Sequence, residues 1–374
     1  ETPQQIIIQS ISTISRDAAA RLPTVHHLRR DIRHVRQRAN NPIPVPLTAE
    51  DLVIPDQYKT TSDGQDFLLY DSGPIATRIL IFGTRENLNL MERSPHWFLD
   101  GTFKTAPSIF FQLYTIHALV SERTIPCVYA LLPKKSQATH TMLLQQLMTI
   151  NGNLNPVTIM VDFEQAMINS VHQVLPNTQV KGCFYHFSQN VYRKIQEHGL
   201  QQRYQEDTDF ALKLRMIPAL AFVPPQDVIA AFEELSDELP AESQPVVDYF
   251  EDTYVGRPQH RGRHPSIFGN DLWNMFDRAQ DELPRTNNSV EGWHRSFQSN
   301  VGSNHPNFWN FVDFIKREQA LQQVHLTQAL AGHAPQPGRK TYSDLKARIL
   351  TILRDYGNRN TLEYLLGIAH NLGF

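Results

Sequence analysis

Apolar and polar positions change period several times along the chain, and those changes divide it into regions. Between Arg78 and Leu132, aromatic and β-branched residues crowd four short segments separated by turn-like breaks. These are Arg78–Phe82 (RILIF), Trp97–Phe103, Phe110–Val120 (FFQLYTIHALV) and Thr124–Leu132 (TIPCVYALL). Runs of this kind predict strands. His140–Ile150 (HTMLLQQLMTI) then has apolar residues at helical spacing. Thr158–Val161 (TIMV) is a compact apolar run, as expected of a strand covered on both faces. Gln165–Leu175 reads as a helix, Gln179–Tyr185 as a strand and Phe187–His198 as a helix.

Three consecutive strands suit an antiparallel meander, and later strands alternating with helices suit parallel crossovers. The expected class is therefore α/β, with a mixed five-stranded sheet flanked by helices in the element order of RNase-H-like folds. After Gly199 the strand signals nearly vanish. Tyr204–Asp252 holds twelve acidic residues against Lys213 and Arg215, which predicts an acidic, all-helical insertion before the last helix of the core. Arg257–His264 (RPQHRGRH) reverses the sign and predicts a basic loop. Helical periodicity returns from Asn288 to beyond Leu330, and the linker Gly332–Lys340 precedes two short carboxy-terminal helices.

The opening segment also reads as helical. His26–Arg38 carries five arginines and one aspartate, and Arg29, Arg33 and Arg36 share one helix face. A phosphate-facing helix and a solvated surface helix both account for that face. Prolines 42, 44 and 46 end it, and Pro42–Gly73 reads as an irregular connector. The expected regions are 1–53, basic helix and linker; 54–199, the first part of the core; 200–284, the insertion; 285–331, the final core helix; and 332–374, the carboxy-terminal helices.

Composition adds exclusions. The 374 residues are 41% hydrophobic and 20% charged, ordinary for a globular protein, and no apolar run approaches a membrane span. The amino terminus lacks the pattern of a secretory signal. It begins with Glu1 rather than Met, which leaves room for a targeting or DNA-binding segment ahead of it. Two cysteines, Cys127 and Cys183, exclude a disulfide framework and a four-cysteine zinc site. A net charge of −3 does not advertise nucleic-acid binding, but it averages over regions of opposite sign.

Two carboxylates stand out. Asp100 sits in an aromatic strand, where an unpaired carboxylate is costly to bury. Asp162 closes the apolar run Thr158–Val161, and ligands collect at the carboxyl ends of strands in open α/β sheets. Two aspartates on neighbouring strands repel each other unless a cation lies between them, and Mg²⁺ takes carboxylate oxygens. Local readings also exist: Asp162 as the cap of the following helix, and Asp100 as a turn residue before Gly101.

Four blocks in order carry a family resemblance: HWFLDGTFKTAPSIFFQLYTIHAL (His96–Leu119), TIMVDFEQAMINSV, GCFYHFSQNVYRKIQ (Gly182–Gln196) and RTNNSVEGWHRSFQSNV (Arg285–Val301). Together with FLLYDSGP and ILIFGT upstream, they resemble the Mutator-like element (MULE) transposase domain from about Ile54 to about Phe314. The resemblance implies a DDE-type transposase of RNase-H-like fold. Asp100, Asp162 and Glu291 would be catalytic and would hold two Mg²⁺ or Mn²⁺ ions, with zinc not expected. It further implies double-stranded DNA partners (terminal inverted repeats and target DNA), a homodimer or larger assembly, and a nuclear location. A domesticated derivative that binds DNA or regulates transcription without cutting is the rival class.

Glu291 has a local reading too, since Asn288 followed three residues later by Glu291 is close to a capping box. Cys183 and His186 form the family's Cys-x-x-His motif. Its role stays open between packing, DNA positioning and a zinc half-site completed by His198, His260 or His264. Candidate DNA contacts are Arg29, Arg33 and Arg36 on the basic helix, and Arg257, Arg261 and Arg263 in the basic loop. Asn287, Asn288, His294 and Arg295 around the final core helix complete the set.

Overall fold

The structure, a computed structural model, describes residues 6, 7, 10, 22–40, 43–260, 262–332 and 340–373. Its centre is a mixed sheet of seven strands rather than the expected five. These are β1 (Leu68–Asp71), β2 (Leu80–Phe82), β3 (His96–Thr102), β4 (Gln112–Val120), β5 (Arg123–Leu132), β6 (Thr158–Val161) and β7 (Gln179–Gly182). The spatial order is β1-β2-β5-β4-β3-β6-β7. The pairs from β1 across to β3 are antiparallel, whereas β6 runs parallel to both β3 and β7. β1 and β2 extend the meander edge; β2 falls on the expected strand Arg78–Phe82, and β1 lies in the expected connector. At the edge, β1 is half-buried along its whole length, and Arg78 holds Asp71 through a charged contact of 2.6 Å.

Inside the meander, Pro126 has no N–H to offer the ladder. The β4–β5 register slips there: Ile116 pairs with Val128, but His117 pairs with Pro126. The extra residue, Cys127, turns its carbonyl to the side-chain amide of Asn87 at 2.9 Å.

The described helices begin with α1 (Val25–Asn40), followed by α2 (Arg85–Arg93), α3 (Gln137–Ile150), α4 (Gln165–Val174) and α5 (Phe184–Glu197). One face of the sheet, including Trp97, Leu99, Ile116 and Ile159, packs on α2, α3 and α4 through Leu88, Met91, Leu144, Leu147 and Val171. The opposite face meets α12 (Asn288–Val301) and α13 (Phe308–Leu330), where Phe297, Phe311, Val312 and Ile315 cover Phe82, Leu113 and Tyr129. The helical stretch from Asn288 onward is thus two helices. Gly302 ends the first in the left-handed conformation at φ 68°, which glycine adopts without a Cβ clash.

Between these parts lie α6 (Gln201–Glu206), α7 (Thr208–Ala219), α8 (Val228–Glu238) and α9 (Gln244–Phe250), with a π-helical turn at Glu251–Val255. Short α10 (Asn270–Trp273) and α11 (Phe276–Gln280) follow. They share one core with α5, α14 (Lys340–Arg354) and α15 (Thr361–Ala369): Phe187, Leu214, Phe222, Phe250 and Trp273 meet Leu353, Tyr364 and Ile368. The carboxy-terminal helices therefore close the insertion. No helix is long and apolar enough to cross a membrane among the described residues.

Candidate active site

β3 and β6 are parallel neighbours with Phe98 opposite Met160. Side chains alternate across a sheet, so residues two positions on continue the same face at the same level. Those residues are Asp100 and Asp162. Phe98 and Met160 form a small buried cluster with Val290, which seats the first turn of α12 across both strands. Glu291 is the next residue, and α12 delivers it to the two aspartates.

Asn287, fully buried, sets the start of α12 from outside the helix. Its side chain makes no capping bond; Nδ2 donates to the Leu99 carbonyl on β3 at 3.3 Å, and its backbone N–H donates to Cys183 Sγ at 3.3 Å. The capping box is not formed. Glu291 Oε1 is instead buried without a hydrogen-bond partner, as is Asp162 Oδ1.

The strand expected over Gln179–Tyr185 stops at Gly182, and α5 begins at Phe184. His186 consequently stands in the first turn of a helix beside the carboxylates. Its Nδ1 lies 2.9 Å from Asp162 Oδ1, and its Nε2 lies 3.9 Å from Glu291 Oε1. The shorter approach lies off the line of a hydrogen bond, since neither atom has an aligned partner. Burial works against charge on this imidazole. Asp162 and Cys183 outweigh it and push the His186 pKa up to about 11. The acidic groups around His186 thus favour its charged form.

Asp100 responds in the opposite sense. Burial, then the charge of Asp162, push its pKa up to about 7; the Gly101 amide at 2.8 Å and His186 oppose the rise, and Glu291 adds to it. On its other side His294 Nε2 lies 3.4 Å from Asp100 Oδ2 and 3.2 Å from Thr115 Oγ1. Thr115 Oγ1 in turn lies 3.0 Å from His117 Nε2. Burial pushes His294 down to about 4, so the ring facing Asp100 is neutral.

Donor atoms of Asp162, Cys183 and His186 lie within 4.8 Å of one another, the one group this tight among the described residues. The three carboxylates do not form such a group; the His186 ring stands between two of them. None of His198, His260 and His264 joins Cys183 and His186, so no four-ligand zinc site is assembled among the described residues. Cys127 is buried in β5.

The remaining candidates separate. Asn287 and His294 are buried under the site and present no phosphate-binding surface, contrary to expectation; packing against β3 and β4 consumes them. Asn288 and Arg295 are exposed on α12. Arg257 is held by Asp252 at 3.0 Å and approached by Asp248 at 3.9 Å. Arg263 is held by Glu233 at 2.5 Å and Glu251 at 3.1 Å. Arg257 and Arg263 are thus paired with acidic residues of the insertion, Arg263 with little of its side chain exposed and Arg257 half-exposed. Arg261 lies outside the described residues. Arg29 is exposed on α1; Arg33 and Arg36 share that helix, with side chains outside the described residues.

Sequence reasoning missed two groups. Arg278 is buried over the Phe98 ring at 5.8 Å and donates to Thr158 Oγ1 at 3.2 Å, bracing β3 and β6 from α11. Burial lowers its pKa to about 10. Glu164, two residues past Asp162, is partly buried with its pKa raised by burial, and Lys135 lies 3.3 Å away. An acidic residue directly after Asp162-Phe163 was the available signal for Glu164; Arg278 had none.

Residues 96–190 match the family model described as the MULE transposase domain. The match takes in Asp100, Asp162, Cys183 and His186, ends inside α5, and stops short of Glu291. No curated protein matches the chain.

Proposed function

We propose that this chain is a metal-dependent DNA transposase of the DDE type, cutting transposon ends and joining the freed 3′ hydroxyls to target DNA. One observation carries the reading: Asp100 and Asp162 extend one face of two parallel neighbouring strands, and Val290 seats the start of α12 beside them, with Glu291 on the far side of the His186 ring from Asp162. The family match over residues 96–190 supports the reaction class. The inner strand order β5-β4-β3-β6-β7 supports an RNase-H-like core extended by two edge strands.

The donor set fits hard divalent cations. Asp162 Oδ1 and Glu291 Oε1 are buried oxygens without partners, and the Asp100 pKa is raised by burial and then by the charge of Asp162. Asp100, Asp162 and Glu291 would hold Mg²⁺ or Mn²⁺. Bound there, the ions supply Lewis acidity toward a phosphodiester and acidify water. The chain's own groups orient the reaction. Asn287 and Val290 fix Glu291 against β3. His294 and the Gly101 amide fix Asp100. His186 balances the acidic charge. Double-stranded DNA as the partner, pairing of two ends by a homodimer or larger assembly, and action in the nucleus belong to the same proposal.

The test is cleavage of duplexes carrying the inverted repeats that flank the encoding gene, with Mg²⁺ or Mn²⁺. Asp100→Asn, Asp162→Asn and Glu291→Gln should each abolish cleavage while circular dichroism stays unchanged. Cleavage that survives Asp162→Asn overturns the assignment. Sequence-specific binding with no cleavage in either metal identifies a domesticated DNA-binding protein instead.

A further inference from the structure

Phe103 and Phe111 lie half-exposed at the same end of the sheet as the carboxylates, 43% and 50% accessible. Their rings meet edge to face, with centroids 5.3 Å apart and planes at 75°. Single exposed apolar residues need no explanation, but a paired aromatic surface beside a reaction centre does. Fraying of the loop does not account for it. The segment between them is pinned: Thr105 and Ala106 are fully buried, and the Phe111 amide donates to Leu132 O at 2.9 Å. The Lys104 carbonyl accepts from the His305 amide at 2.8 Å. Both rings are therefore held outward by rigid backbone.

Their surroundings are cationic. Lys104 and Lys134 are exposed on the adjoining segments, and Lys135 Nζ, paired with Glu164 at 3.3 Å, lies 6.0 Å over the Phe103 ring. Phe103 follows Asp100 by three residues, a reach of at most about 11 Å. That is about three steps of 3.4 Å along a nucleic-acid strand. A duplex interior hides the faces of its bases, whereas an unpaired base exposes a π-face of the size and polarity that an aromatic platform covers. Lysines beside the rings complement the phosphates on either side of such a base.

We propose that Phe103 and Phe111 form a stacking platform for an unpaired nucleobase within about three nucleotides of the scissile phosphate, with Lys104 and Lys134 on the flanking backbone. The proposal rests on the DNA-cleaving reading above and names the strand conformation that this site takes.

The experiment is a binding titration in EDTA, where no cleavage occurs. The probes are two DNAs of one sequence with 2-aminopurine near the cleavage point, one fully paired and one leaving that base unpaired. Wild-type protein should bind the unpaired probe more tightly and quench its fluorescence. The double variant Phe103→Ala/Phe111→Ala should weaken that complex by about ten-fold, the range of one lost base–aromatic stack. Affinity for the paired probe should hold, and Phe103→Trp should retain quenching. Equal loss on both probes, or no loss on either, overturns the platform. So does a change confined to particle mass, which would mark the rings as a contact between copies. Failure of the two proposals is separable. If Asp162-dependent cleavage is intact while the preference for the unpaired probe is absent, only the platform falls. If cleavage is absent in all metals while the Phe103-dependent preference persists, only the catalytic reading falls.

Discussion

His186 stands between Asp162 and Glu291, its Nδ1 2.9 Å from one carboxylate and its Nε2 3.9 Å from the other. The imidazolium offsets charge that the fold has gathered in a partly buried place. Removing one partner of such a cluster leaves the other uncompensated, and partial solvent access reduces the cost. His186→Ala should destabilise the protein by about 1–2 kcal/mol in EDTA. Added Mg²⁺ should stabilise the variant more than it stabilises wild type. Thermal unfolding with and without Mg²⁺ measures both effects, and equal metal-induced shifts in the two proteins would show that His186 carries no compensating charge.

Acid should unfold the protein through histidines held neutral in its core. His140 is fully buried, its ring packed against Tyr114 at 5.1 Å, and burial followed by the charge of Lys135 lowers its pKa to about 4. The unfolded chain takes up this proton near pH 6.5 and the folded chain does so only near 4. Stability is therefore complete above about pH 6.5 and falls as pH drops toward 4, with a limiting slope of about 1.4 kcal/mol per pH unit for one proton. His117 is lowered in the same direction. His140→Gln should make the acid limb shallower by close to one proton in urea melts at pH 6.5, 5.5 and 4.5. An unchanged limb would mean that His140 is charged in the fold.

The same contrast between local and distant causes decides what was legible in the sequence. Asp100 and Asp162 showed themselves because a carboxylate inside an aromatic strand, or directly closing an apolar one, is a local anomaly. Glu291 had only a local capping pattern and a block resemblance; the contacts that place it come from Phe98 and Met160, far away in sequence. His294 looked like a helix-surface residue, but Thr115, 179 positions earlier, helps bury it. Strand β1 was missed because it is half-buried throughout and shows no alternation. Helix α2 was missed because RENLNLMER is mostly polar, although Thr84 caps it and Leu88 and Met91 are buried. The charges of Arg257–His264 were read correctly as basic, but pairing with Glu233 and Glu251 is a tertiary fact that no local window contains.

Val290 makes the placement of Glu291 a packing problem. It is fully buried against Phe98 and Met160. Val290→Ala removes two methyl groups from that contact and should cost about 1–2.5 kcal/mol. Cleavage should fall by more than in a surface control on α12 such as Ser299→Ala, with all three carboxylates still present. Urea melts and single-turnover cleavage report the two effects separately; normal cleavage in a destabilised Val290→Ala protein would separate the anchor from the site.

Arg263 tests whether the basic loop serves DNA or the insertion. Only 14% of its side chain is exposed, between Glu233 and Glu251. Arg263→Ala should lower the melting temperature, since two acidic groups lose their shared partner. The salt dependence of DNA binding should not change, because a side chain already neutralised displaces no counterions from phosphate. A salt slope reduced by about one unit would instead place Arg263 on the DNA.

Gly182 and Phe163 tie the position of Asp162 to the end of β7. A Cβ built on Gly182 would lie 2.5 Å from the Phe163 ring, closer than carbon atoms approach. That ring has little freedom to withdraw, since Phe268 meets it edge-on at 5.1 Å and Phe187 stacks on it at 6.0 Å. Overpacking of this kind costs about 1–3 kcal/mol. Phe163 directly follows Asp162, so the displacement should pass to the carboxylate and lower cleavage as well as stability. The double variant Gly182→Ala/Phe163→Leu should recover part of both losses, giving a coupling of about 1 kcal/mol or more in a double-mutant cycle. Strictly additive effects would show that the glycine answers some other constraint, and that β7 does not set where Asp162 stands.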